Sequence, residues 1–234
     1  MENKSRITIS NVLKLMFIAL LLVCVCTMPE AHSENYLHYA IVGGFSPMLW
    51  GCGEENMSGF KNRLLFIPEC SVKTVPELAP KSEVTTDDDL IFAKGSFVFI
   101  DNSLKPTVIY ATPRTAKYGA EGQGEADGKS FKQNVEYFFP GSPKQVHIHN
   151  RKIANTPGYY VMEDFDGNQY LIGQPGLPAI TTPKFDGGQN MTDRRGTTYT
   201  IECDAKSTAI FLEAPIDIDK LLADAKAEIA NPNG

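Results

Sequence analysis

The chain has 234 residues, 42% apolar and 21% charged, with a formal net charge of −6 and a sequence pI near 5.3. That length and balance suit one globular domain, or one plus a small appendage, exclude wholesale disorder, and oppose a nucleic-acid grip that works by neutralising phosphates. The 19 glycines and 15 prolines demand many turns without a collagen-like period; no apolar run reaches about 18 residues without a charge, so no stable membrane span is expected.

Residues 1–33 set themselves apart. Lys4, Arg6 and Lys14 precede the apolar run 15–26, and Ala31-His32-Ser33 places small residues where a leader peptidase cuts. This is the layout of a secretory signal peptide; the competing expectation is a spurious extension ahead of an internal start at Met57. Residues 34–62 follow as an irregular, glycine-dotted lead-in. The cysteines beyond residue 33 are Cys52, Cys70 and Cys203. So odd and sparse a set is no disulfide framework, and one bridge or none fits it equally.

The body of the fold is expected over 63–216. Leu64-Leu65-Phe66-Ile67 reads as a buried strand ended by Pro68. Residues 73–89, with Pro76, Pro80 and Asp87-Asp88-Asp89, read as a long exposed loop. Phe97-Val98-Phe99-Ile100 is apolar on both faces and predicts a strand covered on both sides; Val108-Ile109-Tyr110 predicts the next. Residues 118–129 hold Gly119, Gly122, Gly124 and Gly128 and suggest a glycine-rich strand and turn. Residues 131–139 alternate, with Phe131, Val135 and Tyr137 on one face and Lys132, Asn134 and Glu136 on the other, the pattern of a half-buried strand.

Ser142-Pro143 predicts a helix start, Ser142 supplying the capping hydroxyl and Pro143 the first helical position. The helix runs to about Asn155, where Pro157-Gly158 stops it. Asp166-Gly167 predicts a hairpin between strands at 159–164 and 169–172. Tyr199, Ile201 and Cys203 alternate with polar neighbours, and 209–212 follows as another strand. Residues 217–230 carry Ile218, Leu221, Leu222, Ala225 and Ile229 on one helical stripe. The sum is eight or nine strands: a mainly antiparallel β-sandwich or partly closed barrel with one internal helix and one C-terminal helix, the latter and its tail spanning 217–234.

Candidate chemistry is sparse. His147 and His149 would share a metal on a strand, but on the expected helix they stand about 200° apart. Asp164-Phe165-Asp166-Gly167-Asn168 opens like a calcium loop, yet its twelfth position is Pro175. Gly122-Gln123-Gly124 lacks the third glycine and the following helix of a nucleotide loop, and Glu125-Ala126-Asp127 would repel phosphate. Cys203 shares an apolar strand face with Tyr199 and Ile201. No catalytic, cofactor or metal residues are nominated. Asp193-Arg194-Arg195-Gly196 reads as a turn with local ion pairs or as a contact between subunits, arginine being favoured at interfaces.

One resemblance emerges from the order of these pieces. It rests on Phe60-Lys61-Asn62-Arg63-Leu64-Leu65-Phe66-Ile67-Pro68 with its acidic loop, and on Glu121-Gly122-Gln123-Gly124-Glu125. It continues in Phe138-Phe139-Pro140-Gly141, the helix between strands, Gly187-Gly188-Gln189, and Asp193-Arg194-Arg195-Gly196-Thr197-Thr198-Tyr199. Across about residues 57–216 this pattern resembles the tail tube proteins of tailed bacteriophages. The resemblance implies a virion structural protein: a β-sandwich with a helix that forms hexameric rings stacked around a DNA channel, without catalysis. Its partners would be itself and other tail proteins, and it would assemble in the host cytoplasm. An acidic channel would let DNA slide without holding it.

The residues nominated for the subunit interface are Asp87, Asp88 and Asp89 of the long loop, facing Arg194 and Arg195 of a neighbour. Residues 1–33 point elsewhere, to a secreted or periplasmic β-sandwich that binds a ligand or surface.

Overall fold

Alternation and apolar runs become two packed sheets. The structure, a computed structural model, describes residues 48, 56–101 and 103–230, with backbone alone at 225 and 227–230. The chain divides into two compact units, 1–48 and 49–234, and every element below belongs to the second. The leader-like segment 1–33, the lead-in 34–62 apart from residues 48 and 56–62, and Cys52 lie outside the described residues.

The larger sheet has seven strands in the order β3-β4-β13-β10-β9-β1-β6. They are β1 Phe60–Pro68, β3 Glu77–Leu78, β4 Phe92–Lys94, β6 Thr107–Tyr110, β9 Gly158–Asp164, β10 Gln169–Ile172 and β13 Phe211–Leu212. All pairs are antiparallel except β13 with β4. The smaller sheet runs β11-β12-β8-β7: β7 Lys117–Gln123, β8 Ser130–Pro140, β11 Ile180–Asp186 and β12 Gly196–Ala205. A separate pair joins β2 Val72–Thr74 to β5 Val98–Phe99. The helices are α1 Lys144–Ile153 and α2 Ile218–Ala230. Neither large sheet closes into a barrel, and the architecture is mainly β and sandwich-like with two helices, as expected.

Two apolar clusters explain the sequence pattern. One lies between the sheets: Leu64, Phe66, Tyr160 and Met162 meet Val135, Tyr137, Tyr199 and Ile201, with Ile153 of α1. The other covers the far face of the larger sheet, where Leu65, Ile67, Val161 and Leu171 meet Leu212 and Ile218 of α2. The larger sheet is therefore buried on both faces at β1 and β9. A strand so placed reads as a continuous apolar run, as 64–67 does, rather than as an alternation. Each fully buried aliphatic side chain contributes about 1.5–3 kcal/mol.

Several expectations need correction. The first strand starts at Phe60, inside the expected lead-in. Residues 73–89 are not one structureless loop: they carry part of β2, then β3, and a 3₁₀ turn Asp87–Leu90, with Leu78, Val84 and Asp89 buried. Residues 97–100 are covered on one side only. Val98 and Ile100 are exposed, because this segment lies over the outer cluster through Phe97 and Phe99 and nothing described lies above it.

Ser142 does not cap α1. Pro143 occupies the N-cap position, and the Ser142 hydroxyl bonds His147 Nε2 at 2.7 Å instead. The strand β11 had no sequence forecast, because Pro183 interrupts its pattern. Proline lacks the ladder donor and is tolerated at an edge, which is where β11 lies. The C-terminal helix is as expected, and the Asp217 carboxylate accepts from the Lys220 N–H at 2.9 Å at its start.

Candidate assembly surface

The smaller sheet has an inner and an outer face, and register fixes both. Tyr118, Val135, Tyr137, Tyr199, Ile201 and Cys203 face the core; Lys117, Glu121, Lys132, Glu136, Glu202 and Asp204 face away. Ile180, Thr182, Lys184 and Asp186 of β11 extend the outer face, and all four are exposed. It carries three lysines (117, 132, 184) against five carboxylates (121, 136, 186, 202, 204), so it is polar and mildly acidic. Lys132 pairs with Glu202 at 3.0 Å.

Its two margins are β7 and β11, seven residues each, and each has a ladder partner on one side only among the described residues. An edge of that length presents a row of unpaired backbone donors and acceptors. The larger sheet ends in the two-residue β3 and the four-residue β6, which offer far less.

The five nominated interface residues do not form one group. Asp87 and Asp88 are exposed. Asp89 turns inward and is 6% exposed. Its carboxylate accepts from the backbone N–H groups of Thr85 and Thr86 at 2.8 and 2.9 Å and from the Thr85 hydroxyl at 3.0 Å. It also pairs with Lys94 at 2.5 Å. The Lys94 ammonium, then these hydrogen bonds, hold its pKa well below the usual carboxylate range. Asp89 is thus engaged inside its own chain. A 3₁₀ turn has three residues per turn, so Asp87 and Leu90 share an outer side while Asp89 points in; Leu90 is 40% exposed.

Arg194 and Arg195 are both exposed. The Arg194 guanidinium lies 4.3 Å over the Phe138 ring, and the Arg195 carbonyl accepts from the Gly141 N–H at 2.9 Å. Among the described residues no local ion pair holds this turn together. The Asp193 carboxylate does so, accepting from the N–H groups of Gln189 and Asn190 at 2.9 and 2.7 Å. Those hydrogen bonds lower its pKa. Gly196 follows because a Cβ there would sit 2.3 Å from the Phe139 carbonyl oxygen and 2.4 Å from the Phe138 ring. No ion pair within the chain joins these arginines to Asp87 or Asp88.

The other candidates resolve into structure. Asp164 accepts from the Asn168 N–H and side-chain amide at 2.8 and 3.0 Å, closing the β9–β10 hairpin. Gly124 has φ +97° and approaches the Gly128 carbonyl too closely for a side chain. The Cys203 thiol is buried, and burial pushes its pKa up to about 11, which suppresses the thiolate a nucleophile needs. Cys70 and Cys203 are both free. His147 packs edge-on to Phe185 and His149 to Tyr199, on different sides of α1. Among the described residues no three His, Cys, Asp or Glu side chains gather to hold a metal, and no helix is long and apolar enough to cross a membrane.

A feature not forecast is the charge of α1. Its outward stripe is Lys144, Ile148, Arg151 and Lys152, and the helix carries no acidic residue. The sequence signal for it is the i, i+4, i+7, i+8 spacing of these residues. No family model, no curated protein and no solved structure matches the chain.

Proposed function

We propose that this protein is a non-catalytic, self-assembling structural subunit that forms rings, and that the rings stack into a tube. The observation that carries it is the pair of long open edges, β7 and β11, on opposite margins of a sheet with a polar, mildly acidic outer face. Joining β7 of one copy to β11 of the next satisfies both edges, and a closed ring satisfies them all equally. The outer faces of the smaller sheets then line the channel. Carboxylates in excess there repel a polyanion and let it pass. This arrangement is the one expected of a tail tube-like subunit of a phage or prophage, with six copies per ring and DNA in the channel.

The test joins microscopy to amide exchange on the purified full chain. Negative-stain images are expected to show rings and tubes. Outward amides of β7 and β11 are expected to exchange quickly in dilute monomer and slowly after assembly, while β8 and β12 stay protected in both. A strict monomer at high concentration and low salt would overturn the reading in favour of a ligand- or surface-binding sandwich.

A further inference from the structure

We infer that the outward face of α1 docks against the Asp87–Leu90 turn of a second copy of this chain. The proposal rests on the ring reading for its closure, and it names a neighbour contact which that reading leaves open.

The helix face comes first. Lys144, Ile148, Arg151 and Lys152 fall on one stripe, while Val146 and Ile153 are buried on the other side. The three basic residues are exposed and take part in no ion pair among the described residues. Ile148, in their midst, is 47% exposed. Arg151 and Lys152 suit the negative end of the helix macrodipole. Lys144 sits in the first turn, where the dipole disfavours a cation. Among the described residues Lys144 has no ion-pair partner, so the stripe is better explained by an anionic surface outside the chain.

The turn is the complement. Leu90, 40% exposed, lies beside exposed Asp87 and Asp88. A leucine beside two exposed carboxylates matches an isoleucine among three exposed cations. Asp89 and its hydrogen bonds to Thr85 and Thr86 hold the turn rigid, so little ordering entropy is lost on docking.

Position then selects the occupant. α1 borders β6: Val108, Ile109, Gln145, Val146 and His149 line one cleft between them. The acidic turn borders β4; the Ile91 carbonyl that follows it accepts from Phe211 N–H of β13. In the larger sheet β4 and β6 are five strand spacings apart, roughly 24 Å at about 4.8 Å each. The two patches therefore cannot meet within one chain. They mark opposite margins of the larger sheet, the arrangement that joins copies head to tail. The smaller sheet shares this polarity. β11 lies on the α1 side through His147 and Phe185. β7 leans toward β10 and β13, Tyr118 packing on Tyr170 and donating to the Thr208 carbonyl.

The experiment uses full-length chains in a charge-swap set. One variant carries Asp87→Lys with Asp88→Lys, a second Arg151→Glu with Lys152→Glu, and a third all four changes. Circular dichroism and melting establish that each is folded. Sedimentation at low salt is expected to show self-association weakened at least about tenfold in either double variant, since like charges then face each other. An equimolar mixture of the two is expected to co-assemble in alternation, because the unaltered turn of one meets the unaltered helix of the other and the two altered patches again carry opposite charges. The fourfold variant is expected to recover wild-type association.

Wild-type association in either double variant, or no recovery in the fourfold one, would overturn the inference. So would helix variants that lose only binding to a single-stranded oligonucleotide. If association is untouched while β7 and β11 remain protected, this contact fails and the ring reading stands. If swap-sensitive association occurs without protection at β7 and β11, the contact stands and the ring reading fails.

Discussion

The larger sheet is built on two long strands, β1 of nine residues and β9 of seven, and thins toward its β3 margin, where β3 and β13 are two residues long and β4 three. Its far face lies beneath α2 and the Phe97–Phe99 segment, and its β4 margin is flanked by a capped turn. The smaller sheet is four strands of seven, eleven, ten and seven residues, covered on one face and open at both margins. The two sheets share the inter-sheet core, so they stand or fall together thermodynamically. They differ in what they leave unpaired. Raggedness and cover protect the first from edge pairing, and Pro183 alone interrupts the margins of the second. Association is therefore expected from the smaller sheet's margins, and local stability from the larger sheet's anchored loops.

The largest expected effect separates shared core from margin. Ile201 is fully buried between the sheets, whereas Thr182 is exposed on β11. Ile201→Ala removes buried methylenes and leaves a cavity, so a loss of about 3 kcal/mol is expected. Thr182→Ala is expected to stay within about 0.5 kcal/mol. Urea unfolding followed at two wavelengths checks both. Two separate transitions in Ile201→Ala would show that the sheets do not share one cooperative core.

The next effect contrasts neighbouring carboxylates. Asp89→Asn breaks the charged bond to Lys94 and is expected to lower the melting midpoint; Asp87→Asn is expected to leave it unchanged. The acid limb gives the sign. The folded pKa of Asp89 is depressed, so the unfolded chain takes up the proton first. The stability it contributes is present above about pH 4 and is lost as pH falls toward the depressed folded value. Melting in acid is expected to be less pH-dependent in Asp89→Asn than in wild type.

These two carboxylates also show where sequence stops informing. The spacing of 64–67, 131–137 and 198–203 disclosed the strands and their faces, because burial on one or two sides writes itself into period and run length. The triplet Asp87-Asp88-Asp89 reads as three equivalent surface charges. Only the fold distinguishes them, since the partners Lys94, Thr85 and Thr86 come together through the turn geometry. For β11 the reason is different: an edge strand needs neither alternation nor freedom from proline, so Ile180–Asp186 left no pattern to detect. Lys144, Arg151 and Lys152 were visible as a stripe, but their lack of partners is a tertiary fact.

A smaller, pH-tuned effect sits where α1 meets the smaller sheet. Burial, and secondarily Lys152, holds the His149 imidazole below its ordinary pKa, and its ring lies against Tyr199. The folded state therefore prefers the neutral ring. As pH falls through about 6.5 the unfolded chain is protonated first, and stability declines until the folded value is passed. Melting points between pH 7 and 5 are expected to fall in wild type and to fall less in His149→Gln. Equal slopes would place the titration elsewhere.

The smallest effect concerns two buried tyrosines from opposite sheets. Tyr160 and Tyr137 are both fully buried. The Tyr160 hydroxyl bonds the Thr181 hydroxyl at 2.5 Å, linking the larger sheet to β11. The Tyr137 hydroxyl has no partner among the described residues, although its ring stacks on Tyr199 at 4.7 Å and 11°. Tyr160→Phe leaves the buried Thr181 hydroxyl unpaired, so a loss of about 1–2 kcal/mol is expected. Tyr137→Phe keeps the stacked ring and removes an unsatisfied polar atom, so a change within about 0.5 kcal/mol, including slight stabilisation, is expected. Denaturant midpoints of the two variants, measured side by side, decide it. A loss in Tyr137→Phe as large as that in Tyr160→Phe would mean that the Tyr137 hydroxyl is bonded in solution, and that the inter-sheet core is as polar on the smaller-sheet side as on the larger.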